Sequence, residues 1–134
     1  MKKTWEYKKL ICFKDVTIYG TSYFSRYFEW MGEAREIYYT HVHEYKSLGV
    51  KGIALVTKSA SIDYINPIYA FDEIKISIYN SSFKSLSFQM NFDIHNLTNN
   101  TLAAQGNNVL IFINADRKIV KVPENILEWV TQHQ

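Results

Sequence analysis

The sequence predicts an α+β domain in which one long helix packs against an antiparallel sheet. The segment from Tyr23 to about His41 contains no proline and only one glycine, Gly32, which predicts a single helix. From Ile53 onward the hydrophobic residues recur with a period of two, which is typical of half-buried strands. The helix precedes a run of four or five strands instead of alternating with them, so a βαβ arrangement is not expected.

The elements follow in chain order. A first strand, rich in aromatic and aliphatic residues, is predicted from Trp5 to Phe13. The long helix follows, with Thr21 or Ser22 as its cap. A turn is predicted at Thr98-Asn99-Asn100, and a short terminal helix from Pro123 through Trp129. The later strands are predicted at Ile74 to Ile78, Leu86 to Ile94, Leu102 to Ala115 and Lys118 to Val122.

Length and composition predict one domain over residues 1–134. The chain has 134 residues, of which 47% are hydrophobic, and a net charge of +2, which gives no broad field for nucleic acid. Lys8 and Lys9 interrupt the N-terminal apolar stretch, and no apolar run reaches the length of a membrane span, so neither secretion nor a membrane span is expected. The single cysteine, Cys12, is expected to be buried and fits a reducing cytoplasm.

One charge of the predicted helix falls on its apolar side. A turn of about 100° per residue puts Arg35 between Met31 and Tyr38. That stripe should face the sheet and is formed by Phe24, Phe28, Met31 and Tyr38, with Tyr27 beside it. Arg35 could extend from the edge of the stripe to solvent, or pair with an acid such as Asp63 or Asp72. Alternatively, it supplies a permanent positive charge for a carboxylate, a phosphate or a developing oxyanion.

Other catalytic motifs are missing from the sequence. It contains no nucleophile elbow, P-loop, dinucleotide-binding glycine pattern or His-Glu metal motif. His41, His43 and His95 form only a weak metal signal, because residues two apart on a helix point in different directions. We therefore expect neither a metal nor another cofactor.

The segment from Thr17 to Glu36 resembles the loop and central helix of hotdog thioesterases of the 4-hydroxybenzoyl-CoA thioesterase type. It is most similar to the thioesterases of enediyne polyketide biosynthesis, and two later segments, Ala70 to Glu73 and Leu102 to Gly106, also match that group. The positions that match within the first segment are Gly20, the aromatic pair Tyr23-Phe24, Tyr27, Trp30, Gly32 and Arg35-Glu36. The resemblance implies a sheet wrapped around the helix, homodimers or homotetramers, and active sites at the dimer interface.

Thr17 departs from both patterns. The 4-hydroxybenzoyl-CoA type has a catalytic aspartate at this position, and the enediyne type has asparagine. A threonine hydroxyl needs an adjacent base to become a nucleophile, so covalent or strong general-base catalysis from Thr17 is not expected. Catalysis would depend instead on polarising the thioester and positioning water.

The resemblance also assigns roles to individual residues. The Phe24 N–H would donate to the oxyanion at the helix N-terminus, and Gly20 would allow close approach of substrate, although Gly20 could equally serve only a turn. Arg35 would stabilise the anionic intermediate or bind the carboxylate product. Tyr27 would orient water or the carbonyl, unless it is simply a core aromatic residue, and Thr17 would bind the same water. Thr57 is a further candidate for the substrate pocket.

The predicted function is therefore hydrolysis of an acyl or polyketide thioester of CoA or an acyl carrier protein, with a polyketide or fatty acid synthase as partner. A non-catalytic module that binds acyl chains is the alternative, because a catalytic carboxylate is missing at Thr17. A hotdog dehydratase or hydratase would need a histidine for proton transfer. No histidine lies between Thr17 and Arg35, so this class ranks last.

Overall fold

The computed structural model describes residues 2–134 and contains six strands and three helices, together with a short 3-10 turn at Phe13–Asp15. The strands are antiparallel throughout and follow the order β1-β3-β4-β5-β2, with β6 paired to β5. The elements are β1 (Trp5–Leu10), α1 (Arg26–Tyr39), α2 (Ser47–Val50), β2 (Ala54–Tyr64), β3 (Glu73–Ser81), β4 (Phe88–Asn96), β5 (Thr101–Ile113), β6 (Ile119–Val120) and α3 (Glu124–Val130). The predicted α+β class and order of elements are confirmed.

Helix α1 lies against the inner face of the sheet, and one glycine allows its close approach. Alternate residues of β5 are buried, and Gly106 lies among them. A Cβ atom at Gly106 would stand 2.8 Å from Met31 Cε and 3.0 Å from the Ser61 carbonyl oxygen. Any side chain here would therefore displace the end of the Met31 side chain and press on the Ser61 carbonyl. The absence of a side chain at Gly106 leaves room for the Met31 side chain between α1 and the sheet.

The predicted start and buried face of α1 are partly wrong. The helix begins at Arg26, after Ser25, and neither Thr21 nor Ser22 caps it. Phe24 lies in the preceding turn, where the helical wheel does not apply, and its side chain is 59% exposed. Phe28 is also exposed. The residues of α1 that face the core are Tyr27, Trp30, Met31, Ala34, Tyr38 and Tyr39. Aromatic residues occupy more than one face of this helix, so periodicity alone could not select the buried one.

Cys12, expected to be buried, is exposed because β1 ends at Leu10 and Ile11 takes the buried position. Among residues 2–134, no group of three His, Cys, Asp or Glu residues could hold a metal ion. Over the same residues, no helix has both the length and the apolar character needed to cross a membrane.

The C-terminal helix is fixed to α1 through Tyr38. The Tyr38 hydroxyl lies 2.9 Å from His133 Nδ1 and accepts a 3.1 Å hydrogen bond from Asn80 Nδ2, and all three side chains are buried. The Trp129 indole N–H also donates to the Tyr38 carbonyl at 3.0 Å. Burial lowers the pKa of His133, and the positive charge of Lys3 lowers it further. His133 is therefore held in its neutral form.

Candidate functional site

Arg35 is held by two neutral oxygens. Its Nη1 donates to Thr57 Oγ1 at 2.8 Å and to Asn108 Oδ1 at 2.9 Å. The Arg35 side chain is half-buried, and no carboxylate in the described part of the chain lies within ion-pair distance of it. The guanidinium charge is consequently oriented without being neutralised.

The alternative in which Arg35 pairs with Asp63 or Asp72 is therefore wrong. The Asp72 carboxylate is instead used locally, where it accepts from Asn96 Nδ2 at 2.7 Å and from the Tyr69 backbone N–H at 2.9 Å. Asp63 lines a polar depression with Asn91 and Gln105 on the sheet. Arg35 is thus a half-buried cation that neutral groups alone orient.

The anchors of Arg35 come from two neighbouring strands, and only Thr57 was predicted as a site residue from the sequence. Thr57 lies on β2 next to a bulge at Lys58, where the register with β5 shifts. Such a bulge redirects the flanking side chains. Asn108 on β5 is 5% exposed and shares the inward face with Gly106 and Leu110. An amide among the buried positions of an alternating strand was the signal that could have revealed it, since a buried polar group needs a partner.

A second group of predicted site residues lies at the N-terminus of α1. The Tyr23 N–H donates to the Asp15 carbonyl at 2.9 Å, and the Arg26 N–H donates to the Tyr23 carbonyl at 3.0 Å. Between them, the Phe24 N–H donates to no backbone carbonyl among residues 2–134. The Phe24 carbonyl accepts from the Tyr64 hydroxyl at 2.6 Å, which fixes this turn to the end of β2. A free donor at a helix N-terminus is suited to an anionic oxygen.

Tyr27 belongs to the same group. Its side chain is 4% exposed, and its ring packs edge-on against Tyr64 with 4.8 Å between centroids. Burial, with a smaller contribution from Tyr64, raises the pKa of Tyr27 to about 12. The phenol is therefore protonated at neutral pH and can donate a hydrogen bond. Tyr27 lines an open depression of about 320 Å³ together with Phe24, Tyr64 and Ile65.

Thr17 and Gly20 form a tight hairpin turn beside this depression. The Gly20 N–H donates to the Thr17 carbonyl at 2.9 Å, and the Thr17 N–H donates to the Thr21 carbonyl at 2.8 Å. Gly20 has a φ of +85°, a conformation that favours glycine, so its role in the turn is clear. The Thr17 hydroxyl oxygen accepts from the Tyr19 N–H at 3.1 Å, which leaves the hydroxyl proton free to donate elsewhere.

These two groups do not meet within one chain. Arg35 lies eight residues beyond Tyr27 on α1, which is about 12 Å along the helix axis. Their anchors on β2, Thr57 and Tyr64, are seven residues apart, which is about 24 Å along the strand. The structure thus brings Arg35 to Thr57 and Phe24 to Tyr27, but it keeps the two halves of the predicted site apart.

Strand β2, which connects the halves, lies at an edge of the sheet. It is 11 residues long and pairs only with β5, so the backbone groups along its outer side have no strand partner among residues 2–134. Tyr64 and Ile65 at its far end are exposed. A long, unpaired edge of this kind normally pairs with another chain or is otherwise covered.

The chain matches one protein-family model and is similar to several solved structures. The model of the thioesterase-like superfamily matches residues 12–130. Crystal structures of the dynemicin thioesterase, solved to study polyene binding, superpose with a TM-score of 0.91 at 22% identity, covering 98% of this chain and 97% of that chain. The 1,4-dihydroxy-2-naphthoyl-CoA thioesterase Slr0204 from Synechocystis gives a TM-score of 0.87 at 20% identity, covering 98% and 100%.

A third solved structure, the gentisyl-coenzyme A thioesterase BH1999, gives a TM-score of 0.80 at 19% identity, covering 92% of this chain and 99% of that chain. No curated protein matches the chain in sequence. The predicted hotdog fold and the resemblance to thioesterases are confirmed, and the match to the superfamily supports thioester hydrolysis as the class of reaction. The chain belongs to the thioesterase-like superfamily.

Proposed function

We propose that this protein hydrolyses acyl or polyketide thioesters of CoA or an acyl carrier protein and releases the free acid in the cytoplasm. The observation that carries the proposal is the orientation of Arg35. Its guanidinium is fixed by Thr57 and Asn108 and has no acidic partner among residues 2–134. A positive charge held in this way can stabilise negative charge that develops on a substrate without first moving a side chain.

The complete site would form in a homodimer joined along the two β2 edges. In an antiparallel pairing about a two-fold axis near the middle of β2, the Tyr64 end of one strand lies opposite the Thr57 end of its partner. Tyr64 holds the Phe24 turn and Thr57 holds Arg35. Such a dimer would therefore place Arg35 of one chain beside the Phe24 N–H and Tyr27 of the other chain. Within a single chain, Arg35 is far from both of these groups. Pairing of dimers into tetramers would follow the resemblance and is not needed for this site.

The reaction is the addition of water to the thioester carbonyl, followed by loss of the thiol. The Phe24 N–H and the Arg35 guanidinium would stabilise the negative charge on the carbonyl oxygen. When the C–S bond breaks, the sulfur leaves as the thiol with a proton derived from water, and the acid remains. The free hydroxyl proton of Thr17 and the phenol of Tyr27 would orient the water and the carbonyl. Gly20 keeps the turn beside the depression free of a side chain.

A threonine in place of a carboxylate keeps a second function open, that of a module that binds acyl chains without hydrolysing them. The free Phe24 N–H and the Arg35 charge, which no acidic group neutralises, favour an enzyme over a binding module, because both groups can stabilise a developing oxyanion. Substrates could come from a polyketide or fatty acid synthase that presents the acyl chain on a phosphopantetheine arm, or from CoA. The thiol moiety of these two carriers is the same, so the residues named above serve both.

The test is release of free thiol from a panel of acyl-CoA and acyl-carrier substrates. Arg35→Ala should lower kcat/KM about 100-fold, because the loss of one oxyanion donor costs about 3 kcal/mol. Arg26→Ala is the matched control, since Arg26 lies on the same helix but its charge is paired, with Glu29 at 2.9 Å and with Asp15 at 4.0 Å. The enzymatic proposal would be abandoned if the wild-type protein bound acyl thioesters saturably without releasing thiol. Equal activity of Arg35→Ala and wild type would remove Arg35 from the mechanism.

A further inference from the structure

The segment that follows β2 brings one more polar side chain to the depression beside α1. Asn66 is exposed and lines that depression together with Phe24, Tyr27 and Tyr64. It is not among the residues to which the resemblance assigns a role. Tyr64, two residues before Asn66, donates to the Phe24 carbonyl at 2.6 Å. The segment that carries Asn66 is therefore fixed to the turn that presents the Phe24 N–H.

The orientation of the Asn66 amide is set by β5. Its Nδ2 donates to the Leu102 carbonyl at 2.8 Å, and its backbone N–H donates to the Ala103 carbonyl at 3.0 Å. The first contact distinguishes nitrogen from oxygen in this amide, because only the NH₂ group can donate to a carbonyl. Oδ1 lies on the opposite side of the planar amide and accepts no hydrogen bond among residues 2–134. Asn66 therefore offers a fixed acceptor to a group that enters the depression.

The other groups of the proposed site act as donors. These are the Phe24 N–H, the protonated phenol of Tyr27 and the guanidinium of Arg35 from the other chain of the dimer. Donors stabilise the carbonyl oxygen and can hold the oxygen atom of a water molecule, but they do not fix the direction of its hydrogens. Water attacks a carbonyl carbon through an oxygen lone pair, and an acceptor that holds one O–H bond directs that lone pair.

We propose that Asn66 is a further catalytic residue, whose Oδ1 accepts a hydrogen bond from the attacking water and directs the water lone pair at the thioester carbon. The water oxygen bonds to that carbon, and the carbonyl electron pair moves to the oxygen held by the Phe24 N–H. The pair returns as the C–S bond breaks; one water proton passes through solvent to the sulfur, and the other stays on the acid. A neutral amide is too weak a base to take the proton, so Asn66 orients the water only. This inference rests on the proposed function, which places the thioester carbonyl at the Phe24 N–H.

Two substitutions separate the acceptor from the contact with Leu102. Asn66→Leu and Asn66→Asp both lose the Nδ2 donor, but only Asn66→Asp keeps an acceptor oxygen. The assay is thiol release from the acyl-CoA that the wild-type protein hydrolyses fastest. Asn66→Leu should lower kcat about tenfold and change KM by less than about twofold, because a hydrogen bond to water is lost and none to the substrate. Asn66→Asp should have at least the wild-type kcat at neutral pH, since a carboxylate accepts the hydrogen bond and can also take the proton.

The pH profile gives a readout that a purely structural role of Asn66 would not change. In Asn66→Asp, kcat should fall as the pH drops towards about 4, where an exposed aspartate gains its proton and no longer acts as a base. Wild type and Asn66→Leu should lack this additional step. Thermal unfolding should show a loss of stability in both variants, since both lose the bond to the Leu102 carbonyl. A loss of stability in both with a loss of kcat in Asn66→Leu alone supports the inference.

Other outcomes would overturn the inference. If Asn66→Asp were as impaired as Asn66→Leu, Asn66 would serve only to hold its segment against β5. A greater loss of kcat in Thr21→Val would assign the water to the Thr21 hydroxyl, which lines the same depression and has no partner among the described residues. An active wild type with an equally active Asn66→Leu refutes the inference and leaves the proposed function intact. A wild-type protein that releases no thiol refutes both.

Discussion

Asn108 provides the sharpest test of how Arg35 is held. Asn108→Leu removes the acceptor that lies 2.9 Å from Arg35 Nη1 and leaves the 2.8 Å bond to Thr57 as the remaining anchor. Leucine has the same number and branching of side-chain heavy atoms as asparagine, so the inner face of β5 should stay filled. The guanidinium would then be free to turn about the single bond to Thr57. Asn108 acts here as a positioning residue, through Arg35.

The size of the effect follows from these contacts. A hydrogen bond to a charged donor contributes about 1.5–3 kcal/mol, which is an upper limit for the half-buried Arg35. Complete loss of the guanidinium from the transition state would lower the rate about 100-fold. Asn108→Leu should therefore lower kcat between about 10-fold and 100-fold and change KM little, since the oriented charge acts mainly on the transition state. Thermal stability should fall only modestly.

A second substitution at the same position separates the positioning of Arg35 from its charge. Asn108→Asp keeps an acceptor near Arg35 but places a negative charge within about 4 Å, an interaction of about 4 kcal/mol that opposes stabilisation of an oxyanion. It should remain folded and be nearly inactive. Asn107→Leu is the control, because Asn107 is the neighbouring asparagine on the opposite face of β5. Thiol-release kinetics would refute the argument if Asn108→Leu stayed within twofold of wild type, or if Asn107→Leu lost as much activity.

Three further predictions concern stability and assembly. Gly106→Ala should lower the free energy of unfolding in urea by about 1–3 kcal/mol, because the new methyl group contacts Met31 Cε. Gly32→Ala has open space at its Cβ position and should raise that free energy by up to about 1 kcal/mol. Equal effects of the two substitutions would contradict the close approach of α1. Because the pKa of His133 is lowered in the folded state, the contribution of neutral His133 to stability should be lost as the pH falls below about 6.5, the pKa of histidine in the unfolded chain. The free energy of unfolding should therefore depend less steeply on pH in His133→Gln. An unchanged pH dependence would contradict this. The β2 amides on the side away from β5 should be protected from hydrogen exchange at micromolar concentration and lose protection on dilution, whereas those bonded to β5 stay protected. Fast exchange of the outer amides at all concentrations would argue against pairing through β2.

Much of the fold follows from local patterns in the sequence. The alternation around Phe92 specifies β4 because one face of that strand is buried and the other is partly exposed. The buried face of α1 was harder to predict, because Phe28 and Trp30 are both aromatic and only packing against the sheet decides which is covered. The exposed Phe24 shows the same difficulty: its position before the first helical residue depends on hydrogen bonds to other segments, such as that from Tyr64.

The candidate site was predictable only in part. Arg35 stood out because its charge falls on an apolar stripe, but the sequence could not say which groups hold it. Thr57 and Asn108 come from strands that are distant in sequence, and their contact with Arg35 depends on the pairing of β2 with β5.

The most direct test of the central claim, a site shared between two chains, is complementation between Arg35→Ala and Tyr27→Phe. Each variant alone should be nearly inactive. After the two are unfolded together and reassembled, about half of the dimers contain one chain of each kind, and one of their two sites is intact, so thiol release should recover to about a quarter of the wild-type rate. If Arg35 and Tyr27 act within the same chain, no dimer has an intact site, and the mixture stays as inactive as its parts.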